Sequence, residues 1–262
     1  MKPDYKNWMP KGMILTAGGI TVFFLLLTVL FAFGGIFDGT AETVLTVICG
    51  VVTLIGIAVT VWMILMYRTF SYNGKKQLSR KVIEKVASYV KVPDGGTCLD
   101  VGCGSGALTI ACAKRFPNAS FIGMDRWGKE YASFSRTLCE KNAEAEGVSN
   151  TRFIKGDATA LNWDDEVFDA VTSNYVYHNI PSKDRQAILL ETLRTLKKGG
   201  TFAIHDLFSR AKYGDMQAFM DKLRNMGYEQ VELIDTTNGE PITKWQSVWM
   251  ELAGSAVLAG RK

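Results

Sequence analysis

Two patterns of apolar residues divide this chain. From Gly12 to Phe37 no charged residue interrupts a run rich in Leu, Phe, Val and Ile, and a second such run extends from Thr43 to Tyr67. Each exceeds the roughly 20 residues needed to cross about 30 Å of hydrocarbon as a helix. A soluble helix of this length would show a polar face, and a cleaved secretory signal has an apolar core of only about 7–15 residues. The two runs, at about 12–37 and 43–67, therefore predict transmembrane helices, and residues 1–67 a membrane anchor. Downstream the pattern changes to short segments of alternating period. A helix over about 75–90 carries Leu78, Val82, Ile83, Val86 and Val90 on one face. Strands are expected at 97–101, 120–124, 151–155, 168–173, 201–205, 228–234 and 254–260. Helices are expected at 107–115, 128–146, 182–196 and 214–226. This alternation predicts an α/β, doubly wound and mostly parallel sheet covered on both faces. It fills residues 68–262 and leaves no length for a second soluble domain.

Charge orients the anchor. Lys2, Lys6 and Lys11 precede the first run, and Arg68, Lys75, Lys76, Arg80 and Lys81 follow the second. The connection Asp38–Glu42 carries only acids. The positive-inside rule then places both termini and the α/β domain in the cytoplasm, against the cell membrane if the chain is prokaryotic. Trp8 and the segment Trp62–Tyr67 supply interfacial aromatics. Glycines 18, 19, 34, 35, 50 and 56 either let the helices approach closely or are ordinary membrane-helix composition. The net charge is +4, hydrophobic residues make up 47%, and mean hydropathy is +0.06. The basic clusters flanking the apolar runs suit anionic membrane lipids. With no basic stripe interleaved with aromatics, a nucleic-acid partner is not expected. Five cysteines without C-x-x-C spacing read as reduced structural thiols, and no metal site is expected. Asn118-Ala119-Ser120 matches a glycosylation sequon, by chance on a cytoplasmic face. Two runs without an internal charge offer no ion path.

The candidate chemistry lies in Leu99-Asp100-Val101-Gly102-Cys103-Gly104-Ser105-Gly106, a strand, a glycine turn and a helix start. Glycines 102, 104 and 106 let the backbone turn tightly and approach a ligand. The spacing is G-x-G-x-G with an acid two residues before the first glycine, unlike the G-x-G-x-x-G of dinucleotide sites. Asp125 ends the second strand, Asp157 the third and Asn174 the fourth. Leu196-Lys197-Lys198-Gly199-Gly200 turns into the fifth. Together these segments, over roughly residues 75–262, resemble the class I, seven-strand S-adenosylmethionine-dependent methyltransferases. Lys198 stands where that family usually has proline.

The resemblance implies S-adenosylmethionine as cofactor and S-adenosylhomocysteine as product. It also implies a sheet whose seventh strand is antiparallel. The cofactor-binding set it implies is Asp100, Gly102, Cys103, Gly104, Gly106, Asp125, Arg126, Trp127, Gly156, Asp157, Ala158 and Asn174. In that reading Asp125 takes the ribose hydroxyls, Asp157 meets the adenine amino group, and Asp100 receives the ammonium directly or through water. Trp127 either lies against adenine or packs between helices. Ligands of such sheets bind outside the carboxyl ends of the strands, so His178, His205 and Asp206 are candidates for moving a proton. Phe70, Tyr72, Tyr175, Tyr177 and His178 are candidates for the acceptor pocket. Phe70 and Tyr72 serve either as a lid or as interfacial anchors.

The expected function is methyl transfer to a small or membrane-partitioning acceptor, with lipid headgroups, quinone-like phenols, thiols and amines all fitting. Two alternatives are methylation of a soluble small molecule by a merely tethered enzyme, and a non-catalytic membrane adaptor that binds cofactor. An NAD-dependent oxidoreductase does not match the glycine spacing.

Overall fold

The computed structural model describes residues 2–36, 39–128 and 132–262. They form two compact units, one of residues 7–77 and one joining the first six residues to Leu78–Lys262.

The first unit is a helical hairpin, α1 (Lys11–Phe33) and α2 (Thr40–Phe70). At about 1.5 Å per residue these helices are roughly 35 and 46 Å long. Both are long and apolar enough to cross a membrane. They meet along a seam of small residues. A Cβ on Gly56 would lie 2.5 Å from Thr21 Oγ1, and Gly18 and Gly50 face the methyl groups of Thr60 and Thr28. Thr21 and Thr60, and Thr28 and Thr53, bring their hydroxyls to 3.3 Å. Close helix approach with hydroxyls across the contact is how helices pair where water cannot drive them together. Gly18, Gly50 and Gly56 thus work in the seam, while a Cβ on Gly19 would meet nothing within 4 Å. The large side chains turn outward: Leu15, Leu54 and Phe33 are among the most exposed residues. Phe37, the expected end of the first run, lies outside the described residues.

The second unit is the α/β domain. It runs α3 (Leu78–Ala87), β1 (Thr97–Val101), α4 (Ala107–Arg115), β2 (Ser120–Asp125), α5 (Arg136–Ala145), β3 (Thr151–Lys155) and β4 (Phe168–Asn174). There follow α6 (Arg185–Arg194), β5 (Leu196–Leu207), α7 (Arg210–Tyr213), α8 (Met216–Asn225), β6 (Glu229–Asp235), α9 (Lys244–Trp249) and β7 (Ser255–Arg261). The sheet order is β3-β2-β1-β4-β5-β7-β6. All pairs among β1–β5 are parallel, and β7 is antiparallel to both its neighbours. The strand order reverses between β1 and β4, and there the carboxyl ends diverge to leave a crevice. Leu99, Val171, Phe202, Ile204 and Leu258 are fully buried on successive strands beneath it. Each such side chain contributes roughly 1.5–3 kcal/mol by leaving water.

Among the boundaries that differ from expectation, two have visible reasons. The helix expected from residue 128 starts at Arg136, because the side chain of Ser135 accepts the Leu138 N–H and caps it there. The strand expected over 201–205 continues to Leu207, because β7 hydrogen-bonds along it as far as the Leu207–Ser255 pair. Lys198 is exposed at the start of β5, where Gly199 takes φ +79° and donates its N–H to the Lys262 carbonyl.

Candidate active site

The glycine turn leaves β1 with Gly102, Gly104 and Gly106 at φ +73°, +56° and +82°. Gly102 and Cys103 both donate their N–H to the Met124 carbonyl of β2, at 2.7 and 3.0 Å, and Gly106 N–H closes on the Cys103 carbonyl. The three glycines are not equivalent. A Cβ on Gly102 would strike Val176 at 2.3 Å, and one on Gly106 would crowd Phe153 at 3.1 Å. A Cβ on Gly104 would meet only the Phe134 ring, at 3.7 Å. Gly104 is therefore the least crowded of the three, close to the head of α4, where helix N–H groups favour an anion. Cys103 is buried in the turn, and burial raises its thiol well above the ordinary range.

Asp125, at the end of β2, spans the turn. Its Oδ2 accepts the Gly104 N–H at 2.8 Å and its Oδ1 accepts the Trp127 N–H at 2.7 Å. Each oxygen keeps a second lone pair, as needed for two vicinal hydroxyls. Trp127 takes φ +45°, and its indole Nε1 donates to the Gly104 carbonyl at 2.9 Å, tying the tryptophan to the glycine turn. Arg126 beside it is exposed. After β3, a Cβ on Gly156 would overlap Met124 Sδ, so the chain passes close beneath Asp125. Asp157 is exposed, and the backbone and hydroxyl of Thr159 hold its carboxyl below the usual range, with Arg126 adding to the effect. Ala158 packs against the core.

Asp100 departs from the direct-contact role. It is almost wholly buried, and its oxygens accept the hydroxyls of Thr109 (2.6 Å) and Thr172 (2.9 Å). Burial pushes its carboxyl up to about 7, against the opposing pull of those two hydrogen bonds. It braces β1 between α4 and β4 and offers no open face to an ammonium group.

Beyond β4 the structure separates the candidates for proton transfer. His178 lies in a single 3-10 turn, Tyr177–Asn179. Its Nδ1 is 2.5 Å from Asp206 Oδ1. Asp206 is fully buried, and its carboxylate also accepts the N–H groups of Tyr177 and Leu207, at 2.8 and 2.6 Å, and of His178. Burial alone would raise the Asp206 carboxyl; the His178 bond and these N–H groups outweigh it and hold the group below its ordinary value. An ionised carboxylate only accepts, so Nδ1 carries a proton toward Asp206. The His178 side chain retains 15% of its exposure.

His205 is different. It is fully buried in β5, where Nδ1 lies 2.7 Å from Asn174 Oδ1 and Nε2 lies 2.9 Å from Ser255 Oγ. Burial pulls it down to about 3, so it stays neutral and out of reach of an acceptor. Thr236 Oγ1 donates to the Ser255 carbonyl, and Tyr175 hydroxyl lies 2.6 Å from Ser255 Oγ. The consistent assignment runs Tyr175 OH to Ser255 Oγ to His205 Nε2, with His205 Nδ1–H donating to Asn174. Tyr175, at φ +55°, also lays its ring 4.4 Å from that of His205. His205 is thus a structural element behind Asn174 and Tyr175. Asp206 positions His178 and touches no ligand itself. Tyr177 is corrected too: it is fully buried, with its hydroxyl on Thr192 at 2.7 Å, and lines no pocket. Phe70 and Tyr72 belong to the hairpin unit, where Phe70 places its ring 5.7 Å from that of Trp8.

Three contributors carry no sequence signal. Phe134 faces Gly104, Cys139 Sγ lies 3.2 Å from the Gly104 carbonyl, and Asn142 Nδ2 donates to the Ser105 carbonyl at 3.0 Å. Only the helical spacing of Cys139 and Asn142 on α5 could have hinted at a shared face.

Residues 98–200 match a family model described as a methyltransferase domain. The demethylmenaquinone methyltransferase of Bacillus subtilis is 29% identical over 143 residues, 55% of this chain and 59% of that protein. Its counterpart from Staphylococcus carnosus is 35% identical over 119 residues, 45% of each. The chain thus spans about half the length of the curated relatives it matches. The [4+2]-cyclase SpnF superposes with TM-score 0.55 at 18% identity, over 73% of this chain and 84% of that one. Geranyl diphosphate methyltransferase, solved with geranyl diphosphate and sinefungin, gives TM-score 0.53 at 13% identity, over 73% and 82%. At such identities the two structures share the fold with this domain.

Proposed function

We propose that this chain, which carries a methyltransferase domain on a seven-strand Rossmann-like sheet, methylates a quinol-like phenol that dissolves in the membrane, using S-adenosylmethionine. The observation that carries the reading is His178, whose Nδ1 is held by the buried Asp206 carboxylate, which leaves Nε2 as the ring nitrogen available to an acceptor. The residues fit the cofactor. Asp125 suits the ribose hydroxyls, Asp157 the adenine amino group, and the α4 N-terminus the carboxylate, with no side chain at Gly104 to crowd the approach. Arg126 and Trp127 flank that place, and Asn174 and Tyr175 close the acceptor side. The relatives' shared name supports a quinone-type acceptor, and the two apolar helices support access to one from the bilayer with the domain on the cytoplasmic side.

When bound, S-adenosylmethionine supplies a methyl group already activated on a sulfonium centre. The protein's share is orientation and proton removal. A phenol or hydroquinone becomes strongly nucleophilic only as its hydroxyl proton leaves. His178 Nε2 accepts that proton, and Asp206 stabilises the resulting imidazolium without being protonated itself. With the methyl group delivered to the acceptor oxygen or ring, the acceptor's proton would rest on His178, and bound S-adenosylmethionine would be left as S-adenosylhomocysteine. In-line approach and exclusion of water provide the rest.

The test is transfer of radiolabelled methyl by the full chain in lipid nanodiscs, offered a reduced demethylated naphthoquinone or a panel of soluble catechols, thiols and amines. Label in the quinol supports the reading. Label confined to soluble acceptors, or S-adenosylhomocysteine bound but no label moved anywhere, would overturn it.

A further inference from the structure

The residues ahead of α1 pack on the domain beside the cofactor turn. Asp4 N–H donates to Asn142 Oδ1 at 2.7 Å, and Asn142 Nδ2 donates back to the Asp4 carbonyl at 3.0 Å. The same Nδ2 donates to the Ser105 carbonyl, also at 3.0 Å. Tyr5 is buried, and its hydroxyl donates to Glu146 Oε1 at 3.1 Å, while Glu146 Oε2 pairs with Lys114 of α4 at 2.7 Å. Cys139, Asn142 and Glu146 recur at the i, i+3, i+7 spacing of one helical face. That face grips the Gly104 and Ser105 carbonyls at one end and the segment Lys2–Lys6 along its length. Asn142 is almost wholly buried, so every polar atom it offers must be satisfied there.

We propose that the segment Lys2–Lys6 is a working part of the cofactor site, setting the Ser105–Gly106 peptide through Asn142. This rests on the reading of the glycine turn as the S-adenosylmethionine cradle. A peptide plane is rigid and its C=O and N–H point oppositely. Fixing the Ser105 carbonyl on Asn142 therefore directs the Gly106 N–H onto the Cys103 carbonyl, which closes the turn at 2.8 Å. Asn142 can hold that carbonyl only while its amide is itself oriented, and the two bonds to Asp4 orient it. Asn142, Asp4 and Tyr5 are positioning residues: they act through the turn and touch no ligand.

The experiment is calorimetric titration of the full chain in detergent with S-adenosylhomocysteine, for wild type, Tyr5→Ala, Asn142→Ala and the double variant. Tyr5→Ala releases the segment while keeping Lys2, Lys6 and Lys11, so the charges flanking α1 are untouched. Each single variant is expected to weaken binding about tenfold, and the double no further, because both changes break one linkage. Leu223→Val, in the core on α8, should lower the melting midpoint and leave binding unchanged. Amide exchange of the peptide covering residues 102–107, measured without ligand, should quicken in Tyr5→Ala and Asn142→Ala and not in Leu223→Val. Binding by Tyr5→Ala within twofold of wild type, additive losses in the double variant, or unaltered exchange at 102–107 would each overturn the proposal. Wild type that binds no S-adenosylhomocysteine sinks the cofactor reading instead, while the exchange comparison still judges the linkage.

Discussion

His178 and Asp206 form a pair in which the carboxylate fixes the ring and the backbone around it. Besides the 2.5 Å contact to Nδ1, Asp206 gathers the N–H groups of Tyr177, His178 and Leu207, so the turn carrying the histidine is ordered by the residue that orients its proton. Proton removal by a positioned side chain is typically worth 10²–10⁴-fold. His178→Gln is therefore expected to reduce turnover by about two orders of magnitude or more while S-adenosylhomocysteine affinity stays within twofold. Undiminished turnover in that variant would remove His178 from the chemistry. Asp206→Asn should lose a comparable factor, with little further loss in the double variant.

Asp125 is expected to carry cofactor affinity. Hydrogen bonds to a charged group contribute roughly 1.5–3 kcal/mol each, so Asp125→Ala should weaken S-adenosylhomocysteine binding by a hundredfold or more. The group is half-buried at the rim of the sheet, and the far-ultraviolet circular dichroism of the variant should match wild type. Unchanged affinity by calorimetry would refute the assignment.

Gly102→Ala and Gly104→Ala should behave differently although both glycines have positive φ. At Gly102 the new methyl group meets Val176 at 2.3 Å and the core must shift, so a clear loss of thermal stability is expected. At Gly104 the nearest neighbour is 3.7 Å away. That variant should lose only the strain of a left-handed alanine, about 1 kcal/mol, and yet bind cofactor poorly because the methyl group occupies the approach. Equal melting midpoints for the two would contradict this placement.

His205 predicts a specific acid sensitivity. In the folded protein it holds at about 3, whereas an unfolded histidine titrates near 6.5. Between those values the unfolded chain binds more protons, so stability rises with pH through the window and is complete above about 6.5. The slope from one such group is at most about 1.4 kcal/mol per pH unit. Urea unfolding of His205→Gln should change less between pH 7 and pH 5 than that of wild type; parallel changes would mean the histidine is solvated.

Much of this was legible in the sequence. The glycine spacing marked the turn between β1 and α4, and the α4 boundaries follow the apolar period to the residue. What stayed hidden depends on contacts distant in sequence. His205 is expected as the last residue of a strand and lies well inside one, because β7 runs antiparallel along β5 and seals it with Val257 and Ser255. Tyr177 appeared to line a pocket, but the 3-10 turn rolls its ring into the core against Thr192. Asp100 sits in a strand whose neighbours, Thr172 and Thr109, happen to bring hydroxyls to it. No pattern in residues 2–6 announces that Asn142 awaits them.

The contact between Asp4 and Asn142 also bears on how the protein assembles. It makes the α/β domain discontinuous, with the hairpin of residues 7–77 as an insertion between two pieces of one folding unit. During synthesis Asp4 and Tyr5 emerge long before the helix that receives them, 138 residues further on. Joining ends so far apart costs loop entropy that only contacts already made can offset. The amino-terminal segment is therefore expected to dock late, onto a sheet already formed, with the glycine turn among the last parts to be fixed.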